Sequence, residues 1–217
     1  MASTAYDPEA YRSLPSLHRA NQLLQENGGE SIITGPIREL FLRHKVQKHL
    51  GLALLHKHFD IQPQERLVDL RSVSTPWQTG NDTDAVISKY NGHVVPRATR
   101  SWKGGWGPYE FEFTESGSSD VAEGSALFLQ ELSTFLHQSN LDQILGVRML
   151  DSRDTNASVE VTEGRSNIML AKGSVDEESL ISAMWVFGMD EDDRCNCREY
   201  CYKDRGGAHT GSNHGCG

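Results

Sequence analysis

The apolar positions of the chain change period along its length. Over the first 50 residues they recur every three or four. Leu17, Ala20, Leu23 and Leu24 form one stripe, and Ile37, Leu40, Phe41 and His44 form another. That is the spacing of amphipathic helices. Asp7-Pro8 suits the start of a first helix and Ser16 the cap of a second, which Gly28-Gly29 stops. Thr34-Gly35-Pro36 restarts a helix that ends near residues 49–51. The period then shortens to two. Residues 52–59 and 65–73 read as strands, and residues 76–83 as a loop. Residues 93–102 and 108–114 read as antiparallel partners joined by Gly104-Gly105-Trp106-Gly107. In Tyr109-Glu110-Phe111-Glu112-Phe113 the aromatics take one face and the carboxylates the other, which predicts that Glu110 and Glu112 face solvent. Ser118, Ser119 or Asp120 caps a long helix running to about residue 138, with Leu127, Leu129, Leu132, Phe135 and Leu136 on its apolar side. Strands follow at 144–150, 158–162, 168–171 and 181–187.

The fold predicted from this order is α+β: N-terminal helices, an antiparallel sheet, and one long helix packed on it. Residues 1–188 form the single domain. After Gly188 the aliphatic side chains almost vanish and five glycines appear within 29 residues. Residues 189–217 therefore read as a separate Cys/His-rich segment, too poor in apolar side chains to build a core.

Composition narrows the function classes. The 217 residues carry a formal net charge of −9, which opposes a general nucleic-acid binder. A mean hydropathy of −0.52, without a run of about 20 apolar residues, excludes a spanning helix. The first residues show no basic stretch followed by an apolar one, so the expected compartment is the cytoplasm. No phosphate-binding glycine loop and no Gly-x-Ser-x-Gly elbow is present.

Candidate chemistry lies in three places. All four cysteines fall in the last 23 residues, in the order Cys195, Cys197, Cys201, His209, His214, Cys216. Clustered thiols in a reducing compartment point to metal rather than disulfides, and four of these six would close a structural zinc site. His56 and His58, two apart on an extended segment, would project together as a catalytic or metal-binding pair. They invite comparison with the cupins, whose first motif runs Gly, His-x-His, Glu. Gly51 and Glu65 flank the pair in that order, with different spacing and no second motif. Finally, Trp77, Trp102, Trp106 and Tyr109 would wall a small-molecule pocket beside the histidines.

The strings Leu55-His56-Lys57-His58-Phe59, Glu65-Arg66-Leu67-Val68, Thr75-Pro76-Trp77 and Pro108-Tyr109-Glu110-Phe111, with the cysteine-histidine tail, resemble a group of filamentous-fungal proteins of unassigned function. The resemblance implies a eukaryotic intracellular protein and carries no site residue. The sequence thus predicts a zinc-binding protein, an enzyme acting on a small molecule in a His/Trp-lined pocket. The alternative is a non-enzymatic interaction module presenting a zinc-clipped tail.

Overall fold

The computed structural model describes residues 6–115, 125–151, 156–175, 180–188 and 195–202. Its centre is a closed barrel of ten strands, which overturns the expected α+β layout. The strands are β1 (Leu50–Leu54), β2 (Glu65–Leu70), β3 (Val73–Gln78), β4 (His93–Trp102), β5 (Gly105–Thr114), β6 (Leu145–Met149), β7 (Ser158–Glu163), β8 (Ser166–Ala171), β9 (Leu180–Phe187) and β10 (Cys195–Tyr202). Around the ring the order is β1-β6-β4-β5-β2-β3-β8-β7-β10-β9, and β9 returns to β1 through Leu52↔Trp185 and Ala53↔Met184. Most pairs are antiparallel, but β2 runs parallel to β5 and β7 parallel to β10. Full closure leaves no sheet edge, the one arrangement that removes unpaired strand backbone altogether.

Consecutive strands pair antiparallel as β2–β3, β4–β5, β7–β8 and β9–β10. Between β4 and β5 the turn is Lys103-Gly104, both at positive φ, 48° and 78°. Left-handed values at both central positions match the twist of the flanking strands. Register slips on both sides of Ala98 in β4, just past Pro96, which has no N–H to give the ladder.

Short helices cover one side. They are α1 (Glu9–Arg12), α2 (Leu17–Glu26), α3 (Gly29–Ile32), α4 (Arg38–Arg43), α5 (Asn81–Lys89) and α6 (Ser125–Gln138). Ser16 caps α2 by accepting the Arg19 N–H at 3.3 Å, and Gly28, at φ 65°, ends it, both as the sequence predicts. The restart at residues 34–36 is instead a single π-helical turn, Ile33–Ile37, that carries α3 into α4 through Pro36. A wider turn is how a helix absorbs a proline that offers no N–H. The expected start of the long helix, at 118–120, lies outside the described residues.

The largest apolar cluster joins the helices to the outside of the barrel. Leu17, Ile37, Phe41, Phe128, Leu132 and Leu136 pack with Leu50, Leu52, Leu54, Leu145, Val147 and Trp185. Phe41 stacks edge-on with Phe128 at 4.7 Å. A second cluster of Ala10, Tyr11, Leu14, Leu55, Ile61, Leu67, Ala98 and Tyr109 seats α1 against the barrel. β1 is buried along its whole length because one face meets the helices and the other the lumen.

Part of the Cys/His-rich segment belongs to this ring. β10 pairs with β9 on one side and β7 on the other, with register shifts at Cys197/Glu199 and Glu199/Tyr200. Among the described residues, no helix is long and apolar enough to cross a membrane.

Candidate metal centre in the barrel lumen

Side chains from strands far apart in the ring can meet across the lumen. Several charged ones do. Arg148 of β6 pairs with Glu199 of β10, three places away around the ring. Arg97 of β4 pairs with Asp69 of β2 across β5, and reaches Asp151 at 3.5 Å. His58 stands 3.5 Å from Glu110 of β5 and 3.3 Å from Glu160 of β7. The lumen is therefore polar, an inversion of the usual apolar-inside rule.

The two histidines lie just past β1, where the chain leaves the sheet, rather than on a strand. Lys57 between them forms an isolated β-bridge before the chain bends at residues 58–59, and the two rings meet with centroids 4.6 Å apart. His56 is 4 % exposed and His58 7 %. His56 Nδ1 donates to the Leu54 carbonyl at 2.8 Å, which fixes the proton on that nitrogen and makes Nε2 the acceptor nitrogen of the neutral ring. Nε2 lies 3.3 Å from Cys201 Sγ, and Sγ donates to Glu160 Oε2 at 3.3 Å. The ligand atoms of His56, Glu160 and Cys201 all fall within 4.8 Å of one another, and all three residues are buried.

Burial dominates the electrostatics. It drops the His56 pKa to about 3, with His58 adding to the effect, so His56 is neutral. Burial pushes the Cys201 thiol well above its ordinary value, and the carboxylates Glu160 and Glu199 push it further. Burial also lifts Glu160 to about 7, against the pull of His58. For His58, burial acts downward, but Glu160 and Glu110 outweigh it and the value is raised. Glu110 feels the same burial upward and is nevertheless lowered, chiefly by its hydrogen bond to His58. A thiolate nucleophile activated by His56 is disfavoured by these directions. The imidazole is too weak a base to take the proton, and the thiol holds it too tightly.

The other sequence candidates fall as follows. Tyr109 is buried against α1, within electrostatic reach of Glu110, Arg148 and Glu199. Trp106 is buried on the helix side, where Nε1 donates to the Leu129 carbonyl at 3.0 Å, so it is a packing residue. Trp102 donates to Asp7 at 3.1 Å at the rim. Trp77 packs at 6.0 Å from Phe113, with Nε1 on Thr75. Cys197 is buried with its thiol on the Glu199 carbonyl at 3.3 Å. His209, His214, Cys216 and the side chain of Cys195 lie outside the described residues. Of the two tail candidates whose side chains are described, Cys201 meets His56 and Cys197 bonds the Glu199 carbonyl.

Glu160 and Glu199 escape the sequence reading. Ser158-Val159-Glu160-Val161-Thr162 looks like a strand with its polar face in water, and the structure turns that face inward. Only the alternation Cys197, Glu199, Cys201 hints that β10 carries chemistry toward the same side. Comparison with protein-family models, curated proteins and solved structures returned no match.

Proposed function

We propose that the chain binds one zinc ion, or a similar soft divalent metal, inside the barrel through His56 Nε2, Cys201 Sγ and Glu160, and uses it on a small molecule. The observation that carries this reading is the convergence of three lone-pair donors of three ligand types on one buried point. Zinc bonds of about 2.0 Å to nitrogen and 2.3 Å to sulfur place tetrahedral neighbours roughly 3.5 Å apart. The Nε2–Sγ and Sγ–Oε2 separations, both 3.3 Å, are close to that edge length.

Charge supports the same reading. Glu110, Glu160 and Glu199 surround the centre against Arg148 and His58, whose pKa is raised, so ionised carboxylates outnumber the cations by one. A divalent cation offsets that charge together with the charge of a Cys201 thiolate. Burying uncompensated charge is otherwise costly.

Three protein ligands leave a fourth tetrahedral position. That is the arrangement of catalytic rather than structural zinc, where the metal polarises a water or a substrate oxygen. Leu54 orients the His56 ring from behind, and His58 contacts the ligand carboxylate Glu160. The buried free thiols Cys197 and Cys201 suit a reducing compartment such as the cytoplasm. Cobalt substitution tests the ligand set. Co(II)-loaded protein should show a thiolate charge-transfer band that Cys201→Ser abolishes and Cys197→Ser keeps. A band that survives Cys201→Ser contradicts the assignment.

A further inference from the structure

The segment that carries the two histidines is held by the N-terminus. After Leu54 it leaves the sheet, and two successive backbone N–H groups turn to residues 11–16. Lys57 N–H donates to the Pro15 carbonyl at 2.9 Å, and Ser16 bridges to Lys57 in parallel. His58 N–H donates to the Tyr11 hydroxyl at 3.1 Å, and that side chain is fully buried. The ordinary partner of such groups in a barrel is the next strand, so residues 11–16 replace one.

The same stretch is latched to the barrel from the other side. Arg100, itself 0 % exposed, donates to the Ala10 carbonyl at 3.1 Å and to Ser13 at 3.2 Å. Nearer the start, the Tyr6 hydroxyl donates to the Glu65 carbonyl at 2.7 Å. Asp7 accepts from Trp102 at 3.1 Å and from Lys103 at 2.6 Å. These anchors sit on β2, β4 and the turn that follows β4, and between them α1 lies against the barrel. The outer anchor is the Asp7–Lys103 pair, with Lys103 69 % and Asp7 25 % exposed, and Glu9 and Arg12 beside it also face outward. The stretch is buried in its middle and tethered at its outer end by a surface ion pair, the construction of an element that can lift.

We propose that residues 6–16 form a strap that sets the histidine segment in place and closes one route into the lumen, so that opening the strap governs exchange of whatever the lumen holds. The gating of metal rests on the metal reading above; the grip on the histidine segment does not. Tyr11 is the positioning residue, acting on His56 and His58 through the backbone. It touches neither the metal position nor a ligand atom.

Two variants and two readouts decide it. Tyr11→Phe removes only the hydroxyl, and Asp7→Ala removes the outer tether to Trp102 and Lys103 together with the cap on the Glu9 N–H. Amide hydrogen exchange should accelerate about tenfold at Lys57 and His58 in both, with the exchange of β1 unchanged. Zinc-loaded protein should release its metal to a chelator about tenfold faster in both, the usual scale for losing a group that orients a ligand. Should Tyr11→Phe fail to fold, Asp7→Ala, at the rim, carries the test. Unchanged exchange at both amides overturns the strap. Faster exchange with unchanged zinc release overturns the gate and leaves the grip. If the wild-type protein holds no zinc at all, the metal reading fails, and the exchange result still decides the strap by itself.

Discussion

Arg148 and Glu199 face each other across the lumen, both buried. Removing one strands the other as an unpaired buried charge, so Arg148→Met should cost about 3–5 kcal/mol in denaturant unfolding. Pairing it with Glu199→Leu should recover most of the loss. A single substitution without effect would mean that the two charges are hydrated rather than sealed. Close packing makes a second residue-scale expectation. A Cβ on Gly146 would meet the Thr99 carbonyl oxygen at 2.6 Å and Leu55 at 2.7 Å. Backbone cannot rotate away, so Gly146→Ala should cost about 1–3 kcal/mol. Normal stability would show that β4 and β6 separate more easily than their register implies. At this scale His56, His58 and Cys201 were legible, because imidazole and thiol carry chemistry wherever they lie. Glu160 was not, since a carboxylate in an alternating strand looks solvated unless the lumen is known to be polar. Trp106 misled in the opposite sense: flanked by glycines it resembled a loop tip, while its ring covers the side of α6.

Among the elements, β4 was read to the residue and β6, β7 and β9 nearly so, because their apolar alternation is strong. β3, β10 and α5 were missed; Val73–Gln78 was split between the preceding strand and a loop at 76–83. Cys195–Tyr202 has few aliphatic side chains, and its inward positions are polar, so the hydrophobic pattern is silent there. α5 follows Gly80 with a polar first turn and no side-chain cap, and it buries only Ile87. A consequence follows for the boundary after Gly188. A chain ended there loses the strand between β9 and β7 and opens the ring to two unpaired edges. It should be insoluble or lack the cooperative unfolding of the full chain. A cooperatively folded 1–188 fragment would restore the view of residues 189–217 as an appendage.

At the scale of the whole molecule, closure was the illegible step. Periodicity specifies faces and not partners. The parallel β2–β5 and β7–β10 contacts join strands distant in sequence, so an antiparallel sheet was the simpler extrapolation. Ion pairs away from the lumen centre contribute to the acid response of the barrel. Glu65 is held below its ordinary value mainly by Arg165, Asp60 by Lys57, and Asp7 by Lys103. The folded chain thus binds fewer protons than the unfolded one near these values. The stability they add is present near neutrality and is lost as pH falls through about 4 and below. Denaturation midpoints should decline over that window, and Arg165→Leu should shrink the decline; a flat profile would show these pairs to be idle. The lumen centre itself is tested most directly by the zinc content of purified full-length chain and its variants. The proposed ligand set predicts about one zinc per chain. It should be absent from His56→Ala and Cys201→Ser, and intact when His209, His214 and Cys216 are replaced together. Zinc that survives loss of His56 but disappears with the three tail residues would contradict a centre inside the barrel.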